Sequence, residues 1–143
     1  MEQKYYKRTI EKQEIESEYL DMARRMRIFL PPEYDETRTY PVIYTQDGVE
    51  FFNFGRIATH ATKLILDEQM EPMIIVGVDV NMPKRTEEYS PDGPRFNAYC
   101  DFFTRELVPF IEEHYAVQKD ADRRVLAGDS LGGTVSLEIA LDY

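Results

Sequence analysis

Near the end of the chain, Gly128-Asp129-Ser130-Leu131-Gly132 follows the spacing G-x-S-x-G. That spacing suits nucleophilic chemistry. A serine on a sharp strand-to-helix turn presents its hydroxyl outward, and the flanking glycines leave space where side chains would clash. The apolar run "RRVLAG" ahead of the serine predicts a short strand, and "SLGGTVSLEIALDY" predicts the start of a helix. This is the context the motif requires; without it, the pattern is a tight glycine turn of any α/β protein. A serine so placed can attack an acyl carbon. The Leu131 amide, at the helix N-terminus, would then face the developing negative charge.

An oxyanion needs a second donor, which on such a scaffold comes from the loop after an earlier strand. "QDGV" (46–49) occupies that place, and either the Gly48 or the Val49 amide would supply the bond, Gly48 letting the backbone approach a substrate. An ordinary Asp-Gly turn is the competing reading. Serine attack also needs a base within hydrogen-bond reach, about 2.6–3.2 Å. The chain has two histidines, both upstream of the serine. His60 falls in the helix after the 46–49 loop, and His114 ends a later helix. A histidine at a helix C-terminus commonly complements the dipole in solvent. Asp129 adjoins the serine and could not also reach the far nitrogen of an imidazole.

The elements that must position these residues alternate in type. Residues 4–16 predict a polar, half-exposed strand. "RRMRIFLPP" alternates Met26, Ile28 and Leu30 with Arg25, Arg27 and Phe29 and predicts a strand with one buried face, ended by Pro31 and Pro32. "YPVIYTQDG" and "MIIVGVDV" are apolar runs of buried strands. Between them, Ile57, Ala58, Ala61, Leu64 and Ile65 recur at helical spacing over 55–70. Phe102, Phe103, Leu107, Phe110 and Ile111 predict a helix over 97–115, with a kink or restart at Pro109. Residues 81–95, with three prolines and many charges, predict a long surface loop. Beside the pocket, Arg85, Glu87, Glu88 and Tyr89 from this loop are candidates for substrate or gating contacts; a solvated charge run is the alternative. A guanidinium such as Arg85 can clamp a carboxylate or phenolate, and Asp47 and Asp129 are further candidate substrate contacts.

From residue 41 the order strand, helix, strand, helix, strand, helix implies an α/β fold with a parallel sheet and crossover helices. Its sites lie at the carboxyl ends of the strands, after Tyr44 and after Ala127. The 143 residues suffice for one domain, and 43% hydrophobic against 31% charged residues is globular rather than disordered composition. A net charge of -10 disfavours nucleic acid and anionic membrane surfaces as partners. A lone cysteine, Cys100, allows no intrachain disulfide. "MEQKYYKRTIEKQE" lacks the apolar segment of a signal peptide, and no apolar run is long enough to span a bilayer, so cytoplasmic residence is the default expectation. The patterns of P-loops, H-E-x-x-H zinc sites, paired cysteines and dinucleotide fingerprints are absent, and neither metal nor organic cofactor is implied.

Taken in order, "YPVIYTQDG", "MIIVGVDV", "KRTEEYSP", "FFTRELVPFIEEHY" and "RRVLAGDSLGG" resemble the putative esterase family, α/β-hydrolases related to esterase D and enterochelin esterase; "YLDMARRMRIFLPPEYD" resembles its opening strands. The resemblance implies an α/β-hydrolase-like, mainly parallel sheet with N-terminal antiparallel strands. It also implies a serine-dependent carboxylic ester hydrolase acting on a small-molecule ester through an acyl-enzyme. Ser130 would be its nucleophile, and the amides of Leu131 and of Gly48 or Val49 its oxyanion hole. In the family the acid and histidine follow the serine. Here Glu138 and Asp142 lead away along the last helix and no histidine follows, so the reading is of a single, incomplete domain, 1–143, truncated after the nucleophile-turn helix. Two alternatives accompany it: an inactive fragment that only binds or oligomerises, and acyl transfer on the same fold. The "RVLAG" strand would stand at a sheet edge, which predicts a homo-oligomer or a complementing chain there.

Overall fold

The computed structural model describes residues 9–143. In chain order the elements are β1 (Thr9–Ser17), β2 (Met22–Leu30), β3 (Val42–Thr45), α1 (Ile57–Leu66), β4 (Ile74–Val78), α2 (Arg85–Tyr89), α3 (Phe96–Phe102), α4 (Val108–His114), β5 (Arg124–Ala127) and α5 (Leu131–Asp142). Residues 4–8 of the first expected strand lie outside the described residues. The strands form one mixed sheet, ordered β1-β2-β4-β3-β5. β1 pairs antiparallel with β2, and β2 with β4. β3 pairs parallel with both β4 and β5. The α/β order and the antiparallel N-terminal strands agree with the sequence reading.

Burial on both faces of the sheet follows from the period of two. On one face, Met26, Ile28 and Leu30 of β2, Val42 and Tyr44 of β3, and Ile74, Val76 and Val78 of β4 share a core with Phe102, Phe103, Leu107 and Ile111 of the α3–α4 segment and Val135 and Ile139 of α5. The other face packs Phe29 and Ile75 against Ala58, Ala61 and Ile65 of α1 and Phe52. The chain therefore crosses from β3 to β4 over one face and returns to β5 over the other. β2 thus departs from the expected single buried face: Phe29 is as buried as Ile28, because α1 covers its side. On α1 the apolar stripe is narrower than its spacing suggests, since Leu64 remains exposed.

The helices differ from expectation where local hydrogen bonding intervenes. α1 closes at Leu66, short of residue 70. The Glu68 amide donates to the Ile65 carbonyl and the Gln69 amide to that of Leu64, while Glu68 itself takes φ 60°. The helix expected over 97–115 is α3, a π-helical stretch Phe103–Leu107, and α4 with Pro109 in its first turn. Pro109 has no N–H for the preceding turn, so the ladder widens where the restart was expected. Residues 81–95 are more ordered than a surface loop. They hold a 3-10 turn, Met82–Lys84, and then α2, whose Glu88 and Tyr89 are buried.

Candidate active site

The carboxyl ends of β3 and β5 carry the two loops on which the sequence places the chemistry. Ser130 is the N-cap of α5, with φ 58° and ψ -123°, and it is exposed. A non-glycine residue in that region costs about 1–3 kcal/mol and persists only where its surroundings enforce it. Here the helix does so: the Ser130 carbonyl accepts from Gly133 at 3.0 Å and Thr134 at 3.1 Å, and the Asp129 carbonyl accepts from Gly132 at 2.9 Å. The Leu131 amide, first in the helix, has no acceptor inside its own turn. A methyl group on Gly128 would overlap the Gly132 carbonyl; one on Gly132 would stand 3.1 Å from Asp47 Oδ2 and 3.2 Å from Gln46 Cβ. The motif glycines thus let the serine turn close on itself and sit against the 46–47 segment.

That segment is held from several sides. The Gln46 amide donates to the Ala127 carbonyl at 3.0 Å, extending the β3–β5 ladder beyond the strands. Gln46 and Asp47 are buried. Tyr99 donates its hydroxyl to Gln46 Oε1, and the Asp47 amide donates to Tyr89 Oη at 3.2 Å. Burial pushes both phenols well above their ordinary range, so they act as neutral hydrogen-bonding groups. Asp47 takes φ 49°, after which Gly48 and Val49 open a helical turn leading into the π-helical stretch Glu50–Phe54. The opening amides of such a turn lack intrahelical acceptors. Gly48 has a packing requirement that the sequence did not announce: a side chain there would meet the backbone of Gly77.

Arg85 spans both loops. Its Nε donates to Asp47 Oδ1 at 3.1 Å and its Nη2 to Asp47 Oδ2 at 2.9 Å; Nη2 also approaches the Asp129 carbonyl at 3.5 Å. The hydrogen bonds with Asp47 raise the guanidinium pKa against the opposing effect of burial. Ser130, Leu131, Gly48, Val49, Asp47, Arg85 and Asp129 therefore belong to one neighbourhood, joined by the Gln46–Ala127 rung, the Gly132–Asp47 contact and Arg85.

Other candidates lie elsewhere. Glu87 forms a surface pair with Lys84 at 3.3 Å. Glu88 is fully buried and bidentate with Arg24, at 3.0 and 2.8 Å, with Arg95 Nε at 3.5 Å. It anchors α2 to β2 and is not a solvated charge. His60 is exposed on α1. His114 lies with its Nδ1 2.9 Å from the Phe110 carbonyl and its ring stacked 4.1 Å from that of Phe110. Neither ring is hydrogen-bonded to Ser130 among the described residues. Sequence reading missed Gln46, Tyr99 and Arg24 as supports of this neighbourhood. The one local signal was a glutamine directly after an apolar strand; its partner lies 53 positions away.

The model of the family described as "Putative esterase" matches residues 17–143. The uncharacterized protein YjcH of Bacillus subtilis (strain 168) is 37% identical over 136 residues, which are 94% of this chain and 57% of that protein. Among solved structures, the CE1 ferulic acid esterase AmCE1/Fae1A of Anaeromyces mucronatus is 30% identical with a TM-score of 0.73, over 92% of this chain and 53% of that one. The enterobactin esterase FES of Shigella flexneri is 25% identical with a TM-score of 0.79, over 92% of this chain and 33% of that one. The α/β-hydrolase-like fold is thus shared with esterases, and the chain spans about half the length of the curated relatives it matches. No helix of the described residues is long and apolar enough to cross a membrane.

Proposed function

The chain belongs to the Putative esterase family, and from that premise we propose that it carries the nucleophile and oxyanion side of a serine-dependent carboxylic ester hydrolase. Ser130 Oγ attacks the acyl carbon of a small-molecule ester, and the carbonyl electrons move onto oxygen. The Leu131 amide and an amide of Gly48 or Val49 donate to that oxyanion. Collapse expels the alcohol and leaves an acyl-enzyme, which water then hydrolyses. The Ser130 proton passes to a base, which returns it to the leaving alcohol; among the described residues neither His114, whose Nδ1 lies 2.9 Å from the Phe110 carbonyl, nor His60, exposed on α1, is hydrogen-bonded to Ser130. The name of the ferulic acid esterase supports esters of ferulic acid as the first substrates to try.

The observation that carries this reading is the exposed Ser130 at φ 58°, ψ -123°, capping α5 beside Asp47. Hydrolysis of p-nitrophenyl acetate and methyl ferulate, with Ser130→Ala as control, tests it. Turnover lost in the alanine variant is expected; turnover equal in both would overturn the assignment. Weak activity supports the reading only where Ser130→Ala lowers it, since binding and oxyanion donors, which the alanine variant keeps, alone retain roughly 10³–10⁴-fold over water.

A second reading, a binding or oligomerising module, draws on one observation. β5 is the sheet edge, Val125 is 51% exposed, and the groove beside it leaves Tyr44 Oη and Arg124 Nε without partners among the described residues. Light scattering of the wild type and Val125→Lys decides it. An oligomer that the lysine dissolves supports this reading, and a monomer in both opposes it.

A further inference from the structure

We propose that Arg85 is a positioning residue: by gripping the Asp47 carboxylate and reaching the Asp129 carbonyl, it sets the Gly48–Val49 amides against the Ser130–Leu131 turn. The inference rests on the reading of Ser130 as nucleophile and adds a residue that would act without touching substrate.

The geometry is that of a brace between two loops. Both Asp47 oxygens are taken by one guanidinium in a planar, two-bond fork, at 3.1 and 2.9 Å. The same Nη2 lies 3.5 Å from the carbonyl immediately preceding the serine. Asp47 is held at its other end as well, its amide donating to Tyr89 Oη at 3.2 Å. Arg85 and Tyr89 are four residues apart on α2 and so share a face, with the guanidinium 5.0 Å from the centre of the Tyr89 ring. One short helix thereby fixes the carboxylate and the amide of the residue preceding Gly48. Because the Asp47 amide is already bonded to Tyr89, the donors left for an oxyanion on this loop are those of Gly48 and Val49.

A brace needs footing. Glu88, one position before Tyr89, is fully buried and meets Arg24 of β2 through two bonds, at 3.0 and 2.8 Å. α2 is thus tied into the sheet on one side while it holds the loop on the other. Without Arg85 the buried Asp47 carboxylate would lose its countercharge and turn toward water, drawing 47–49 with it. Nε and Nη2 are both committed inside the protein, which argues against Arg85 as a substrate clamp.

The test compares wild type, Arg85→Ala, Arg85→Lys, Asp47→Asn and the Arg85→Ala/Asp47→Asn double variant, with Ser130→Ala as background. Turnover of p-nitrophenyl acetate and the amide NMR signals of Gly48, Val49 and Leu131 are followed. For Arg85→Ala, kcat is expected to fall about 10- to 100-fold, part of the loss seen when an oxyanion donor is removed, with KM within about twofold. The double variant should be no worse than the single ones, since both break one interaction. Arg85→Lys should recover only part of the loss, because an ammonium lacks the fork. The three amide signals should move while those of β1 and β2 stay in place. A raised KM with unchanged kcat would make Arg85 a substrate contact and overturn the proposal; so would multiplicative losses or unmoved amide signals. If wild-type turnover proves independent of Ser130, the hydrolase reading falls, yet the amide signals still decide the role of Arg85. Should Arg85→Ala fail to fold, Arg85→Lys and Asp47→Asn carry the same comparison.

Discussion

Gly48 lies with its backbone against that of Gly77. A methyl group on Gly48 would stand 2.5 Å from the Gly77 carbonyl carbon, 2.7 Å from its oxygen and 2.9 Å from the Val78 amide nitrogen. These are backbone atoms of a central strand and cannot step aside. Gly48→Ala is therefore expected to destabilise the fold by about 1–3 kcal/mol, as overpacking does. Urea unfolding of the variant checks this, and a change below about 0.5 kcal/mol would refute it.

The Ser130 backbone makes an opposite prediction. At φ 58° a side chain is strained whatever its chemistry, so Ser130→Ala keeps the strain and Ser130→Gly releases it. Both variants should lose serine-dependent hydrolysis, but the glycine variant should be the more stable by about 1 kcal/mol. Equal unfolding midpoints would show that the turn stores no strain.

Glu88 and Arg24 are nearly without solvent, at 0% and 2% exposure. Glu88→Ala leaves a guanidinium buried without its carboxylate, for which about 3–5 kcal/mol of lost stability is expected. Arg24→Met combined with Glu88→Leu removes both charges and should cost clearly less. Thermal unfolding of the three proteins tests the order; a double variant weaker than Glu88→Ala would reverse the argument.

High pH should destabilise the protein. Burial, with Asp101 nearby, pushes the Cys100 thiol from 9.0 up to about 12, and burial pushes the Tyr115 hydroxyl from 10.0 to about 12. A raised folded-state pKa means that the unfolded chain releases the proton first. Stability from these groups is thus complete below about pH 9 and is lost as pH climbs toward 12. The urea midpoint should fall between pH 8 and pH 10.5. In the native protein at pH 8, Cys100 should resist iodoacetamide until urea exposes it; rapid native labelling would contradict its burial.

How far the sequence reveals this molecule depends on the range of the interactions involved. β3 and β4 are legible because a buried strand must be apolar along its length, β5 from the short apolar run ahead of the serine, and the Ser130 turn because its glycines obey local steric rules. α2 is not. Prolines 83, 91 and 94 and a dense run of charges announce a loop, and it takes the two-bond pairing with Arg24, 64 positions upstream, beside Arg95, which is nearer in sequence, to explain why Glu88 can be buried there. The same holds for Tyr99 and Gln46. Arg85 is legible as a functional candidate, but the partner it takes, Asp47, is a contact of the fold and not of the sequence. For β2, alternation correctly sets one face, yet it says nothing of α1 covering Phe29 on the other.

β3 sits between two parallel neighbours, and the one bearing the serine, β5, comes from far along the chain. Parallel pairing at such separation is slow to close, since the intervening segment must be gathered first. The Gln46–Ala127 rung that sets the two loops side by side is the last outpost of that ladder. The Ser130 turn is consequently expected to meet the 46–49 loop only once that distant strand has joined the sheet: until then, residue 130 would be held as any solvated alcohol is.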